Sequence, residues 1–282
     1  MYERTNEISP IALIMSLFII GLSIGLSDGS HRMVQANEIL DAFENGSPIE
    51  YDDYIVKGDL YLYNLRIDKN IHFNDSIFMG KIKINSTLNG KAYFEGTKFN
   101  CSADFRCTKF NNNAYFMDAE FNRSANFESV KFRRFSDFSS SKFNSAAYFE
   151  LSEFSEDSDF LDTKFYGNAE FRSTKFNGIT EFINTIFNGS TDSRINFMNA
   201  TFHDKADFRG SIFNRIAWFD DSEFNQYCIF KYAKFDNAAT FRNIVFNLAD
   251  FTDVQFNKEV SFRDSQFKNI AIFNNVTLLS NF

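Results

Sequence analysis

Phenylalanine returns along this chain on a fixed beat. In "ADFRCTKFNNNAYFMDAEF", residues 103 to 121, it stands at 105, 110, 116 and 121, five apart, then six, then five. Such spacings carry a side chain around an α-helix instead of along one stripe, so an amphipathic helix and a coiled coil are both excluded. The small residue two places before each Phe is as regular as the Phe itself: Ala103, Thr108, Ala114, Ala119 and Ala125. Two inward positions separated by one outward position make a short strand of period two. The Asn, Gly, Ser, Asp or Arg residues that come next are mostly turn formers.

The repeating unit is A-x-F-x-x-[S/T/A]-x-F-x-x-x, one five-residue step and one six-residue step, each a three-residue strand plus a corner. Four steps close a coil of 22 residues. A two-step, eleven-residue coil is the narrower alternative, but two corners of about ninety degrees turn the chain back without closing it, and four Phe per layer fill a square lumen better than two fill a slab. The beat starts with aliphatic residues at Leu60 and Leu62, slips near Leu88, resumes at Ala92 with Phe94 and breaks at 188 to 195. It then runs from Phe197 to Val276 with Leu278. That break reads as a loop bulging from one corner, with two five-residue steps from Phe187 to Phe197, centred on Asp192, as the other reading. The expected solenoid spans 54–278, followed by a tail at 279–282, and roughly ten coils at about 4.8 Å each give a rod near 50 Å.

This pattern resembles the pentapeptide-repeat family, in which a central Leu or Phe and a small residue two positions earlier point inward. The resemblance implies a right-handed quadrilateral β-helix, an all-β fold. The chain departs from the family by adding one residue in alternate steps and by placing Phe at nearly every centre. Some members of the family act as DNA mimics on a topoisomerase, which the resemblance brings in as an alternative function.

Residues 8–27, "ISPIALIMSLFIIGLSIGLS", form an uncharged apolar run, between a secretory leader and a short membrane span in character. Segment 1–27 is therefore expected to be a signal peptide or membrane anchor, and either would export the rest of the chain. Segment 28–53 reads as linker and capping helix. Ile39, Leu40 and Phe43 fall at helical spacing within 34–48, and Gly46 can end the turn. Such a helix would hide the unpaired edges of the first coil.

A formal charge of -8 from 29 basic and 37 acidic residues argues against a nucleic-acid partner that needs a basic footprint. Cys101, Cys107 and Cys228 occupy unlike slots of the repeat, so no disulfide framework or metal spacing emerges. Cys228 stands where Ala usually stands and reads as a small buried hydrophobe. His31, His72 and His203 lie far apart with no recurring carboxylate or nucleophile around them. No catalytic, metal or cofactor site is expected.

The outward residue before each Phe differs from step to step. One series runs Asp104, Tyr115, Asn126, Asp137, Tyr148, Asp159, Glu170, Glu181; the other is rich in lysine, with Lys98, Lys109, Lys131, Lys142, Lys164 and Lys175. In 22-residue coils Asp137, Asp159 and Glu181 share one column, and Lys142 and Lys164 share a neighbouring one. Solvated faces that resist sideways sheet pairing explain such charges plainly; a cation or glycan contact along the acidic column is the sharper reading. Trp218, outward, with Ile216 in the preceding corner, adds an aromatic anchor. The function expected is a non-enzymatic, extracytoplasmic structural or protein-interaction rod, membrane-tethered or secreted. Its partner would be a protein or a surface glycan, with the membrane engaged through the N-terminal segment.

Overall fold

The computed structural model describes residues 31–189 and 193–279, and Arg32–Phe282 forms one unit. Parallel pairing joins each short strand to its equivalent in the next coil: Phe99 lies beside Phe121, Phe121 beside Phe143 and Phe143 beside Phe165. Side-chain bonds between coils connect residues 22 apart. The wide four-sided coil is thus the one adopted, and the architecture is a right-handed quadrilateral β-helix of about 11 turns.

The four inward columns are filled by stacked rings. Phe121 lies 4.7 Å over Phe143 with planes 1° apart, and Phe116 lies 4.9 Å over Phe138. Around one coil the rings meet edge to face, as Phe121 does Phe127 at 82°. Both geometries are favourable for ring quadrupoles. Each buried ring contributes roughly 1.5–3 kcal/mol, which offsets the ordering of the short strands around it.

The alternation of five and six comes from two kinds of corner. After Phe105, Phe116, Phe127 and their equivalents the chain makes a tight turn: the N–H of Thr108 donates to the carbonyl of Phe105 at 3.0 Å, and Cys107 between them has φ 60°. That is the signature of a type II turn. Asp, Asn, Ser and Gly hold most of these left-handed positions, yet Leu151 (φ 58°) and Tyr232 (φ 62°) stand there too, at some steric cost. The six-residue corners use no left-handed residue in the regular coils. Their extra residue makes room for asparagine ladders, in which the Asn144 amide donates to Asn122 and Asn122 to Asn100 at 2.8 and 2.9 Å.

The small inward residue also divides by corner. After a five-residue turn it is usually a hydroxyl that donates to a Phe carbonyl one coil below, as Thr163 does to Phe138 at 2.8 Å and Thr174 to Phe149 at 2.7 Å. After a six-residue corner it is usually Ala. Cys228 takes such an Ala place, between Ala206 and Ala249. It is fully buried, and burial pushes its thiol up.

At the N-terminal end a strand, Arg32–Gln35, pairs with Tyr54–Lys57, so the coiling begins within the segment read as linker. Helix Ala36–Glu44 follows, with the Glu38 carboxylate accepting from the Gln35 N–H at 3.3 Å. Ile39 is buried and Leu40 and Phe43 pack on the core; Gly46 at φ 65° turns the chain out of the helix. Near Leu88 the slipped beat has a simple form: strand Ile82–Leu88 runs straight through a corner, beside Leu60–Ile67. The break after Phe187 is a corner insertion. Phe165 stacks on Phe187 and Phe171 on Phe197, while side-chain bonds across this coil span 26 residues, four more than usual. Two five-residue steps between Phe187 and Phe197 would carry Phe197 one column further, so that alternative does not occur.

Residues 8–27 lie outside the described residues. Among the described residues no helix is long and apolar enough to cross a membrane.

Candidate interaction surface

Because a full lumen leaves chemistry to the outer faces, the outward residues are taken face by face, in chain order around a coil. The first face carries Lys98, Glu120, Lys142 and Lys164; the second carries Asp104, Glu170, Asn196 and Trp218; the third carries Lys109, Lys131, Glu153 and Lys175. On the fourth face Asp137 lies beside Asp159, Asp159 beside Glu181 and Glu181 beside Asp207. The acidic column expected from the sequence is therefore real and one member longer. Lys142 and Lys164 are paired on the adjoining first face.

Two members of the acidic column behave in opposite ways. The Asp159 carboxylate accepts from the Leu161 N–H at 2.6 Å, and among the described residues no cation pairs with it or with Asp137. Partial burial, reinforced by Asp137, Glu181 and Asp162, pushes Asp159 up to about 6. Asp207 is wholly buried, yet Lys205 and Arg209 each hold it at 2.8 Å. Burial works to raise its pKa, but the hydrogen bonds from Arg209 and Lys205 outweigh it and keep the carboxyl below its ordinary range. Towards the N-terminal end the same face turns aromatic, with His72 on Tyr93 at 4.4 Å and Tyr93 on Tyr115 at 5.1 Å.

Trp218 and Ile216 are not part of this surface. They sit on and beside the second face, opposite the acidic column. Trp218 is half-buried under the Arg194 guanidinium, 5.7 Å from its ring, and Ile216 is 39% exposed. Close by, Arg215 donates to the Gly189 carbonyl at 2.8 Å. On the same face Asn196 donates to Glu170 at 2.9 Å, and burial raises the Glu170 carboxyl.

A hollow lined by Asn64, Arg66, Ser86, Cys107 and Lys109 lies where the straight strands cut a corner. Among the described residues no hydrogen bond joins the Cys107 thiol to Lys109 there, and no cluster of His, Cys, Asp or Glu could hold a metal ion.

A family profile described as "Pentapeptide repeats (9 copies)" matches residues 84–131, 192–234 and 230–277. No curated protein matches the chain. Among solved structures, two trypsin-treated variants of QnrB1, a plasmid-mediated fluoroquinolone resistance protein, are similar at 15% and 14% identity. These alignments cover 77% and 78% of this chain and 91% of each of theirs, with TM-scores of 0.21 and 0.23.

Proposed function

This chain belongs to the pentapeptide-repeat family, and from that premise we propose that it is a non-enzymatic interaction rod, exported and either tethered to a membrane or released. The observation that carries the first part is the lumen, closed by stacked Phe from Phe94 to Phe256, each at most 1% exposed. An enzyme needs a concave, convergent site, and a filled lumen confines recognition to the outer faces. Repeating faces suit an extended contact, and the fourth is the best candidate because its carboxylates lack cations over two coils. Export rests on the apolar run at 8–27.

The DNA-mimic alternative asks for acidic faces that a DNA-binding enzyme could grip. Here the acidic faces are separated by lysine-bearing ones, which weighs against that role. Fractionation of the native cell, with the mature N-terminus located, tests the proposal. Recovery at the membrane or outside the cell is expected, and recovery in the soluble cytoplasm with an intact N-terminus would sink the exported reading.

A further inference from the structure

We propose that the partner of the fourth face is the first face of a second copy, so that rods associate side by side and parallel. This rests on reading the fourth face as a contact surface. The two faces are complementary in charge over the two coils where neither is neutralised within the chain: no ion pair joins Lys142 or Lys164 to a carboxylate among the described residues, and none joins Asp137 or Asp159 to a cation, whereas Glu181 and Asp207 further along are already paired.

Spacing decides the kind of partner. Charges on the two faces repeat once per coil, and the rings beneath them stack at 5.1 Å for Phe138 on Phe160 and 4.8 Å for Phe143 on Phe165. An extended peptide presents like-facing side chains about 6.6 Å apart and falls out of step by the third charge. A second solenoid stays in step along its whole length.

Register follows from the order of residues. With copies level, Lys142 faces Asp137, Lys164 faces Asp159 and Glu120 faces the Tyr115 hydroxyl, with no like charges opposed. A shift of one coil in one direction sets Glu120 against Asp137; in the other Asp159 meets Ile186, and of the two opposite-charge matches, Lys164 with Asp137 and Lys234 with Asp207, the second joins groups already paired within the chain. The contact joins unlike patches and is therefore heterologous. Since the two faces meet at one corner of a square coil, each added copy turns a quarter revolution and a fourth closes on the first. That corner carries Met117, 37% exposed, with Leu161 and Ile183 half-buried beside it, and apolar area there adds to the contact.

The test is sedimentation of the full-length chain in a mild nonionic detergent at low and high salt, with two variants. One carries Lys142→Glu with Lys164→Glu, the other Asp137→Lys with Asp159→Lys. Expected at low salt are species heavier than the monomer, up to four copies, dissociating at high salt where exposed charges are screened. Each variant alone loses the heavy species, and an equal mixture regains them, because each retains the face that the other lacks. Circular dichroism of each variant like that of the parent chain establishes that both are folded. A monomer at every salt and concentration, or assembly unmoved by either variant, overturns the proposal. That result leaves export to be judged by fractionation, which does not depend on assembly.

Discussion

Asp159 and Asp207 occupy the same outward position of the same face, two coils apart, and their protons are held oppositely. Asp159 is partly buried beside Asp137, Glu181 and Asp162, and its carboxyl is pushed up to about 6. Asp207 is more buried, yet Lys205 and Arg209 close on it and its carboxyl is lowered. The fold supplies the position; the flanking corner residues decide whether a charge there is tolerated. Arg209 takes the corner place that Leu161 takes two coils earlier, and Lys205 the place of Asp157. A repeat protein can thus vary its surface chemistry coil by coil without touching the core.

Among side-chain substitutions the largest effect should come from removing the cations around Asp207. Lys205→Met with Arg209→Met leaves a buried carboxylate without its ion pairs, and breaking such a pair costs about 3 kcal/mol. The loss should appear as a lowered urea midpoint at neutral pH and shrink in acid, where the carboxyl is protonated. A change below about 1 kcal/mol, the range of surface pairs, would mean that the two cations do not hold Asp207 in solution.

Single amides sharpen the contrast, because their pH profiles should run in opposite directions. The Asp159 pKa is raised on folding, so this group's contribution is fully present below its unfolded value near 3.8 and is lost as pH rises through about 6. Asp159→Asn should therefore stabilise the protein at pH 7.5 and do nothing near pH 3.5. The gain should be about 1 kcal/mol, well under the roughly 3 kcal/mol that the same shift would carry without solvent screening. The Asp207 pKa is lowered, so its contribution is present above 3.8 and lost as pH falls through the folded value. Asp207→Asn should cost about 2 kcal/mol at neutral pH, the worth of hydrogen bonds to a charged group, and nothing in strong acid. Parallel profiles for the two variants would erase the distinction.

The core is legible in the sequence because every step must fill the same lumen: Phe, Leu or Ile at the centre and a small residue before it are imposed again at each coil. Outward columns can be read only by counting in 22s. Counting from Glu181 lands on His203, whereas the insertion moves the true neighbour to Asp207, so the buried member of the acidic column is hidden from a sequence count. The hydroxyls at Thr108, Ser141, Thr163, Thr174 and Thr185 could have been assigned to the tight corners, since all follow five-residue steps. The left-handed turn positions are harder, because Leu151, Tyr232 and Cys107 are poor markers of positive φ.

The smallest effect should follow from shortening the insertion that separates Glu181 from Asp207. The interrupted stretch covers 188 to 195, but only four of its residues are extra, and Ile195 is inward and 1% exposed. Deleting 190–193 restores a coil of ordinary length and should change stability by no more than about 1 kcal/mol, as expected of a surface loop. Deleting all of 188–195 also removes Ile195, leaves the coil too short to close and should abolish cooperative melting. In the four-residue deletion the acid sensitivity conferred by Asp207 should persist, since Lys205 and Arg209 belong to the same coil as the carboxylate they hold. If that sensitivity disappears while the melt stays cooperative, the insertion sets the geometry of the coil above it. The charge at Asp207 would then depend on its neighbours along the rod as well as on its own corner.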